Sequence, residues 1–385
     1  MQQTKKRFLN LKIIILFTIV IGVTARLWLS TYGFNTDMEY WKMHADVIKF
    51  GGPMYEVGMN VGFIWAYILF YLDSIPFFVP GEIESLRYKV AIFLTIIDIF
   101  IFFTLVNLHS LKVGLLFFLN PISIFITGYH SQFDNVAIFI GLIAVIIFQK
   151  NKEKFKFFLS SLIFGISLIT KHILFMFVVW IAIKEKKFKK KVLIIFIPIL
   201  LFLLSFAPFV DNYSLVYDYV LNYKSTENGI FWRVFTPQFL GNYLGYSVLF
   251  LTTLFLLGLF FENKNVLETY YLYLISVVLF SPAIANQYLA IPIIALAFFW
   301  NRFYFMYTLA ASLFFLVDYT ALDIESVKNI VSWSRNTTRI GYKIIIIFLA
   351  LGFLQTIISK KKFDLIFKNI LFWFFKKIKK QFKMK

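Results

Sequence analysis

The stretch VGFIWAYILFYLDSIPFFV, residues 61–79, decides the architecture. It is apolar enough to count as one more membrane crossing, for which a helix needs about 20 such residues. Asp73 and Pro76 interrupt it, however, and Pro80 follows directly; a proline removes a backbone donor and breaks a helix. Whether this stretch crosses sets the side of every loop that follows. Upstream, Lys5, Lys6 and Arg7 precede the apolar stretch 13–29, with no small-residue cleavage site after a short apolar core. That pattern predicts an uncleaved first span starting in the cytoplasm. Downstream lie 90–106, 113–128, 136–148, 157–169, 173–183, 192–210, 243–261, 266–279, 288–300, 303–317 and 342–358. If all of these cross, parity puts the tail on the outer side. Ten lysines between Lys360 and Lys385 oppose that, because Lys and Arg clusters stay cytoplasmic and gain about 1 kcal/mol each beside an anionic leaflet. Demoting 61–79 to a helix lying on the outer face makes every basic loop cytoplasmic: Lys112, 150–156, 184–191, Lys264, Arg302 and the tail.

Composition agrees with the bilayer. The chain is 60% hydrophobic and 15% charged, against roughly 45–50% and 25% in soluble domains. A water-soluble globule and a disordered chain are both excluded. With no cysteine there is no disulfide framework, thiolate metal site or thiol nucleophile. The net charge of +19 belongs to the inner membrane surface, with no nucleic-acid partner expected. The expected fold is an all-α, polytopic transmembrane helix bundle of about 12 spans, with interfacial helices in the first and fourth outward loops. Residues 1–210 form a first transmembrane module with outward loop 30–89. Residues 211–360 form a second, variable module with outward loop 211–242, and 361–385 a basic amphipathic cytoplasmic tail. The segment 157–183 must go out and return within 27 residues, at about 1.5 Å per residue. A pinched hairpin with its apex at Thr170-Lys171-His172 is expected, lining a water-filled cavity.

Polar residues near the outer ends of spans are candidates for function. Phe34-Asn35-Thr36-Asp37-Met38-Glu39-Tyr40-Trp41 offers a carboxylate as general base, Asp37, with Glu39 to hold a hydroxyl or a cation; a solvated acidic loop is the alternative. Tyr129-His130-Ser131-Gln132-Phe133-Asp134-Asn135 offers convergent donors and acceptors suited to sugar hydroxyls, or is a plain loop. Lys171 and His172 could neutralise a phosphate; equally, Lys171 could snorkel to the surface. Asn286-Gln287-Tyr288 leads into a late span, where helix capping is the competing role. Asp98 sits mid-span and reads as a hydrogen-bonding or packing residue. Arg233 reaches toward a phosphate or sits among headgroups. No zinc spacing, Walker loop or dinucleotide fingerprint is present.

In their order, these elements resemble the GT-C superfamily of polytopic glycosyltransferases, which take sugars from polyprenyl-phosphate carriers. Asp37-Met38-Glu39, Pro53-Met54-Tyr55 and the demoted helix are similar to the family's first outward loop, and Lys89 with Asp98 to its next span. Asn120-Pro121 followed by 130–135 resembles the lipid-linked-oligosaccharide glucosyltransferases. So does Gly165-Ile166-Ser167-Leu168-Ile169-Thr170-Lys171-His172, with His172 in place of their Gln. Gln287-Tyr288-Leu289 is similar to related bacterial and glycolipid mannosyltransferases. The resemblance implies a GT-C-like fold and inverting hexosyl transfer (glucose, mannose or galactose) to a glycan or glycolipid acceptor. It implies Asp37 as base and Glu39, Tyr55, His130, Gln132, Asp134, Asn135, Lys171, His172, Arg233, Gln287 and Tyr288 as substrate contacts. No cofactor is required; if Mg²⁺ or Mn²⁺ takes part, Asp37 and Glu39 are its ligands. The expected location is the bacterial cytoplasmic membrane, with both termini cytoplasmic and the active site facing outward. A lipid-linked-oligosaccharide flippase or transporter, and an O-antigen polymerase or ligase, are the other readings.

Overall fold

The computed structural model describes residues 2–32, 36–77, 79–149, 154–221, 231–232, 244–318 and 335–358, with positions 322, 324–326, 329 and 362–364. Among them every regular element is helical. The order is α1 (Gln2–Leu29), α2 (Asp37–Lys49), α3 (Phe63–Ser74), α4 (Glu82–Leu108), α5 (Leu111–Phe118), α6 (Pro121–Gly128), α7 (Asp134–Gln149) and α8 (Lys154–Thr170). A 3-10 turn (His172–Leu174) leads to α9 (Phe175–Lys184) and α10 (Phe188–Leu204). Short turns over Ala207–Asn212 and Tyr217–Leu221 flank α11 (Tyr213–Val216). Then follow α12 (Tyr246–Phe260), α13 (Val266–Leu279), a 3-10 helix (Asn286–Ala290), α14 (Ile293–Phe298), α15 (Arg302–Val317) and α16 (Arg335–Ile357). Arg233, most of loop 211–242 and nearly all of the tail lie outside the described residues.

The stretch 61–79 forms a helix of only 12 residues, about 18 Å long, too short to cross. It stops at Ser74, two residues before Pro76, and Lys89 Nζ caps its end by donating to the carbonyls of Asp73 (3.1 Å) and Ile75 (2.9 Å). The expectation of about 12 spans, by contrast, needs correction. Three helical segments are long and apolar enough to cross: Leu11–Leu29, Glu82–Leu108 and Arg339–Ile357. Counting the bent pairs Leu111–Phe118 with Pro121–Gly128 (49°) and Phe188–Leu204 with Ala207–Val220 (62°) as single spans makes five. The other apolar stretches, α3 included, form helices of 10–17 residues, shorter than a hydrocarbon core about 30 Å thick requires. Charge parity counts apolar stretches without weighing their length, which is why it overshot.

The fold-back within 157–183 is present. The rings of Phe164 and Phe177 lie 5.8 Å apart, where 13 residues of continuous helix would separate them by about 20 Å. Lys190 Nζ of α10 also sits 5.5 Å from the Phe157 ring, so the chain beyond the fold-back returns beside the start of α8. At the apex the Ile173 carbonyl accepts from Tyr273 Oη of α13 at 2.7 Å, so an interior backbone oxygen is satisfied.

Polar contacts gather at the two ends of the bundle. At one end Lys184 Nζ donates to the carbonyls of Phe261, Glu262 and Lys264 (2.6–2.7 Å), and Arg302 pairs with Asp364. At the other, Asn212 donates to Glu56 (3.3 Å) and Asn286 to Asp318 (3.0 Å). Lys184, Lys264 and Arg302 lie at the first end and α2 and α3 at the second.

Between the ends, Arg26 and Asp98 form a wholly buried ion pair at 3.0 Å. Arg26 also donates to the Gly22 carbonyl (3.1 Å), the Phe118 carbonyl (3.0 Å) and Ser123 Oγ (3.0 Å). Asp98 accepts from Thr127 Oγ1 and Asn135 Nδ2, each at 2.8 Å. Five helices, α1, α4, α5, α6 and α7, are thereby tied at one point. Gly128 lets α6 approach α1: a Cβ there would fall 2.6 Å from the Arg26 carbonyl oxygen. Removing one member of a buried pair costs about 3–5 kcal/mol, because the other charge is stranded. Asp98→Ala is therefore expected to lower thermal stability in detergent sharply, while the double variant Arg26→Met/Asp98→Leu recovers most of the loss. A single variant as stable as the parent would show that the pair holds nothing.

Candidate functional site

The turn 130–135 sits at the α2/α3 end, between α6 and α7, and successive side chains reach different elements. Gln132 Nε2 donates to Asp37 Oδ2 at 2.5 Å, linking the turn to the start of α2. Phe133 stacks on Trp65 of α3, with centroids 4.1 Å apart and planes 11° from parallel, and Trp41 of α2 meets both rings edge-on. Asp134 Oδ2 accepts from Lys171 Nζ at 2.7 Å, while that ammonium lies 4.9 Å from the Phe133 centroid. Asn135 binds Asp98. Four consecutive residues thus join α2, α3, the hairpin apex and the buried ion pair. Gly62 makes a further close approach possible, since a Cβ there would meet the Ile169 carbonyl oxygen at 1.8 Å.

The candidate residues from the sequence divide accordingly. Asp37, Gln132, Asp134, Asn135 and Lys171 are brought together. Lys171 is not an isolated cation: Asp134, 1% exposed, balances its charge. His130 is buried in the same turn, its ring against Phe125 and Tyr129. Gln287 and Tyr288 are half-buried on the 3-10 helix Asn286–Ala290, which packs on α6 and α7. His172 faces elsewhere, its ring 6.2 Å from that of Phe202. Tyr55 is fully buried against Phe206 and Phe209, and burial pushes its phenol up; it fastens the loop before α3 to the end of α10. Asp37 is half-buried and Glu39 exposed. Two positions apart on a helix, side chains do not face each other, so these two carboxylates do not converge on one cation. Among the described residues no group of three or more His, Asp or Glu is placed to hold a metal ion.

Several functional neighbours escaped the sequence reading. Arg26 is one, although an arginine inside an apolar span signals a buried partner. Lys42 is another: it bridges Asp46 (2.6 Å) on α2, Asp73 (3.2 Å) at the end of α3 and Glu82 (3.3 Å) at the start of α4. Burial disfavours its charge, but the three carboxylates outweigh that and raise its pKa. Trp65, stacked on Phe133, is a third. No protein-family model, curated protein or solved structure matches this chain.

His44, on the buried face of α2, gives this end of the molecule a pH dependence. Burial pushes its imidazole down to about 4 from 6.5. Between those values the unfolded chain binds a proton that the folded one does not, so stability falls as pH falls through that window. The slope expected is up to about 1.4 kcal/mol per pH unit. His44→Gln should flatten this part of the stability profile; an unchanged profile would place the acid sensitivity elsewhere.

Proposed function

We propose that the protein is an integral-membrane, inverting glycosyltransferase that moves a hexose from a polyprenyl-phosphate donor to a glycan or glycolipid acceptor. The end of the bundle bearing α2 and α3 is the outer face. The observation that carries this reading is the Gln132–Asp37 hydrogen bond, which joins an acidic residue of the opening loop to the amide- and carboxylate-rich turn. A half-buried carboxylate oriented by an amide suits a general base. The placement of Lys184, Lys264 and Arg302 at the opposite end supports the assignment of sides.

On this reading Asp37 removes the proton of the acceptor hydroxyl as that oxygen attacks the anomeric carbon. The bond from that carbon to the phosphate oxygen breaks, its electron pair leaves with the polyprenyl monophosphate, and configuration inverts. Lys171 has three N–H donors, one engaged by Asp134; the others can meet a phosphate oxygen at the hairpin apex. Such preorganised donors are the electrostatic contribution that usually matters most. The isoprenoid chain is held by apolar burial between helices, and no metal is needed for this sequence of steps.

Purified protein given polyprenyl-phosphate glucose, mannose or galactose with glycan acceptors is expected to transfer one of them. Asp37→Asn should still bind donor but transfer about a hundredfold more slowly, the scale of a lost general base. Full activity in Asp37→Asn would remove that residue from the mechanism, and failure to consume any sugar-phosphate lipid would retire the reading as a whole.

A further inference from the structure

At the end of the bundle bearing Lys184 and Arg302, the structure has a cavity of about 180 Å³, lined by Lys264, Glu268 and Thr356 and by the apolar side chains of Phe260, Leu272 and Ile357. One water takes up about 30 Å³ of liquid, so the space admits a group of several heavy atoms. Its walls come from the end of α12, the start of α13 and the last turn of α16. The local sequence holds this rim in place. Asn265 caps α13, its side-chain oxygen accepting from the Glu268 N–H at 2.8 Å, and Lys264 Nζ donates to the Glu268 carboxylate at 2.7 Å. Lys184 Nζ gathers the carbonyls of Phe261, Glu262 and Lys264, which fixes the turn between α12 and α13. Thr356 Oγ1 is already bonded to Tyr304 Oη and to the Gly352 carbonyl. Lys264 and Glu268 are therefore the lining groups through which a ligand would be recognised.

The cavity continues an exposed apolar stripe. Val248, Leu251, Phe255 and Leu259 follow one another along α12 at intervals of three or four residues and are all exposed; side chains at that spacing share a helix face. Leu256 and Phe260 widen the stripe, and Phe260, 65% exposed, is also a wall of the cavity. A hydrocarbon chain lying along α12 thus arrives at Lys264 and Glu268. Their charges define the headgroup that goes with it. Lys264 has three N–H donors, one engaged by Glu268, and the others suit phosphate oxygens. The Glu268 carboxylate only accepts, so it opposes a headgroup that carries negative charge alone and matches an ammonium next to the phosphate. A choline has no N–H to give it. We propose that this cavity binds the phosphoethanolamine headgroup of a phospholipid whose acyl chain runs along the exposed stripe of α12. On the assignment of sides above, that lipid belongs to the inner leaflet; the binding chemistry depends neither on that assignment nor on any transfer step.

The test titrates the full chain, delipidated in detergent, with dioleoyl phosphatidylethanolamine, phosphatidylcholine or phosphatidylglycerol and reads the retained lipid by native mass spectrometry. The wild type is expected to hold one phosphatidylethanolamine about tenfold more tightly than either of the others, the scale of one charge-assisted hydrogen bond. Glu268→Gln keeps the shape of the side chain and leaves the Asn265 cap, which uses the backbone N–H, in place; it should erase the preference. Lys264→Gln should weaken all three lipids, since each carries the phosphate. Equal binding of the three lipids by the wild type, or tightest binding of phosphatidylglycerol, would overturn the proposal, and so would a preference that survives Glu268→Gln. Glycerophosphoethanolamine, the same headgroup without acyl chains, is expected to compete about a hundredfold more weakly, because it buries no hydrocarbon along α12. Competition at parity with the lipid would make the cavity a site for a soluble zwitterion and contradict the assignment to a lipid.

Discussion

Polar side chains enclosed by apolar helices must find one another, and the structure at the α2/α3 end is arranged around that constraint. Arg26 and Asp98 are both fully buried, and neither is tolerable without the other. Their pairing sets α1 against α4, and Ser123, Thr127 and Asn135 draw α6 and α7 to the same point. Because Asn135 also ends the turn 130–135, the ion pair indirectly positions Gln132 and, through it, Asp37. The carboxylate proposed as base is thus oriented by a chain of hydrogen bonds that begins inside the bundle.

Charge is balanced locally at this end of the bundle. Lys171 faces Asp134 and Lys42 faces three carboxylates, so neither presents a bare ammonium. A binding site with little net charge and many directional donors and acceptors discriminates by hydroxyl pattern more than by charge. α2, amphipathic and outside the long apolar helices, is fastened both by the ion pairs of Lys42 and by Trp41 and Met38 on its buried side.

Part of this was legible in residue order. Asp73 and Pro76 marked the end of α3, and the lysine clusters on either side of 157–183 demanded the fold-back that the Phe164–Phe177 contact records. Asp98 read as a hydrogen-bonding residue, and it is one. The long-range pairings were not legible: Gln132 and Asp37 are 95 positions apart and Arg26 and Asp98 are 72 apart, and local periodicity carries no register between distant helices. Arg26 was passed over because it lies in the last turn of an apolar helix, where a basic residue also suits the helix dipole. The span count failed for a different reason, since charge fixes the side of a loop but says nothing of how many residues of a neighbouring stretch become helix.

The central claim is that Asp37 and the turn 130–135 share the face opposite the basic loops. The chain contains no cysteine, so single introduced thiols report without background. Glu39 on α2 and Lys186 between α9 and α10 are both exposed. With a membrane-impermeant maleimide, Glu39→Cys should label in intact cells and Lys186→Cys only after permeabilisation. Labelling of both in intact cells, or of position 186 alone, would contradict the account.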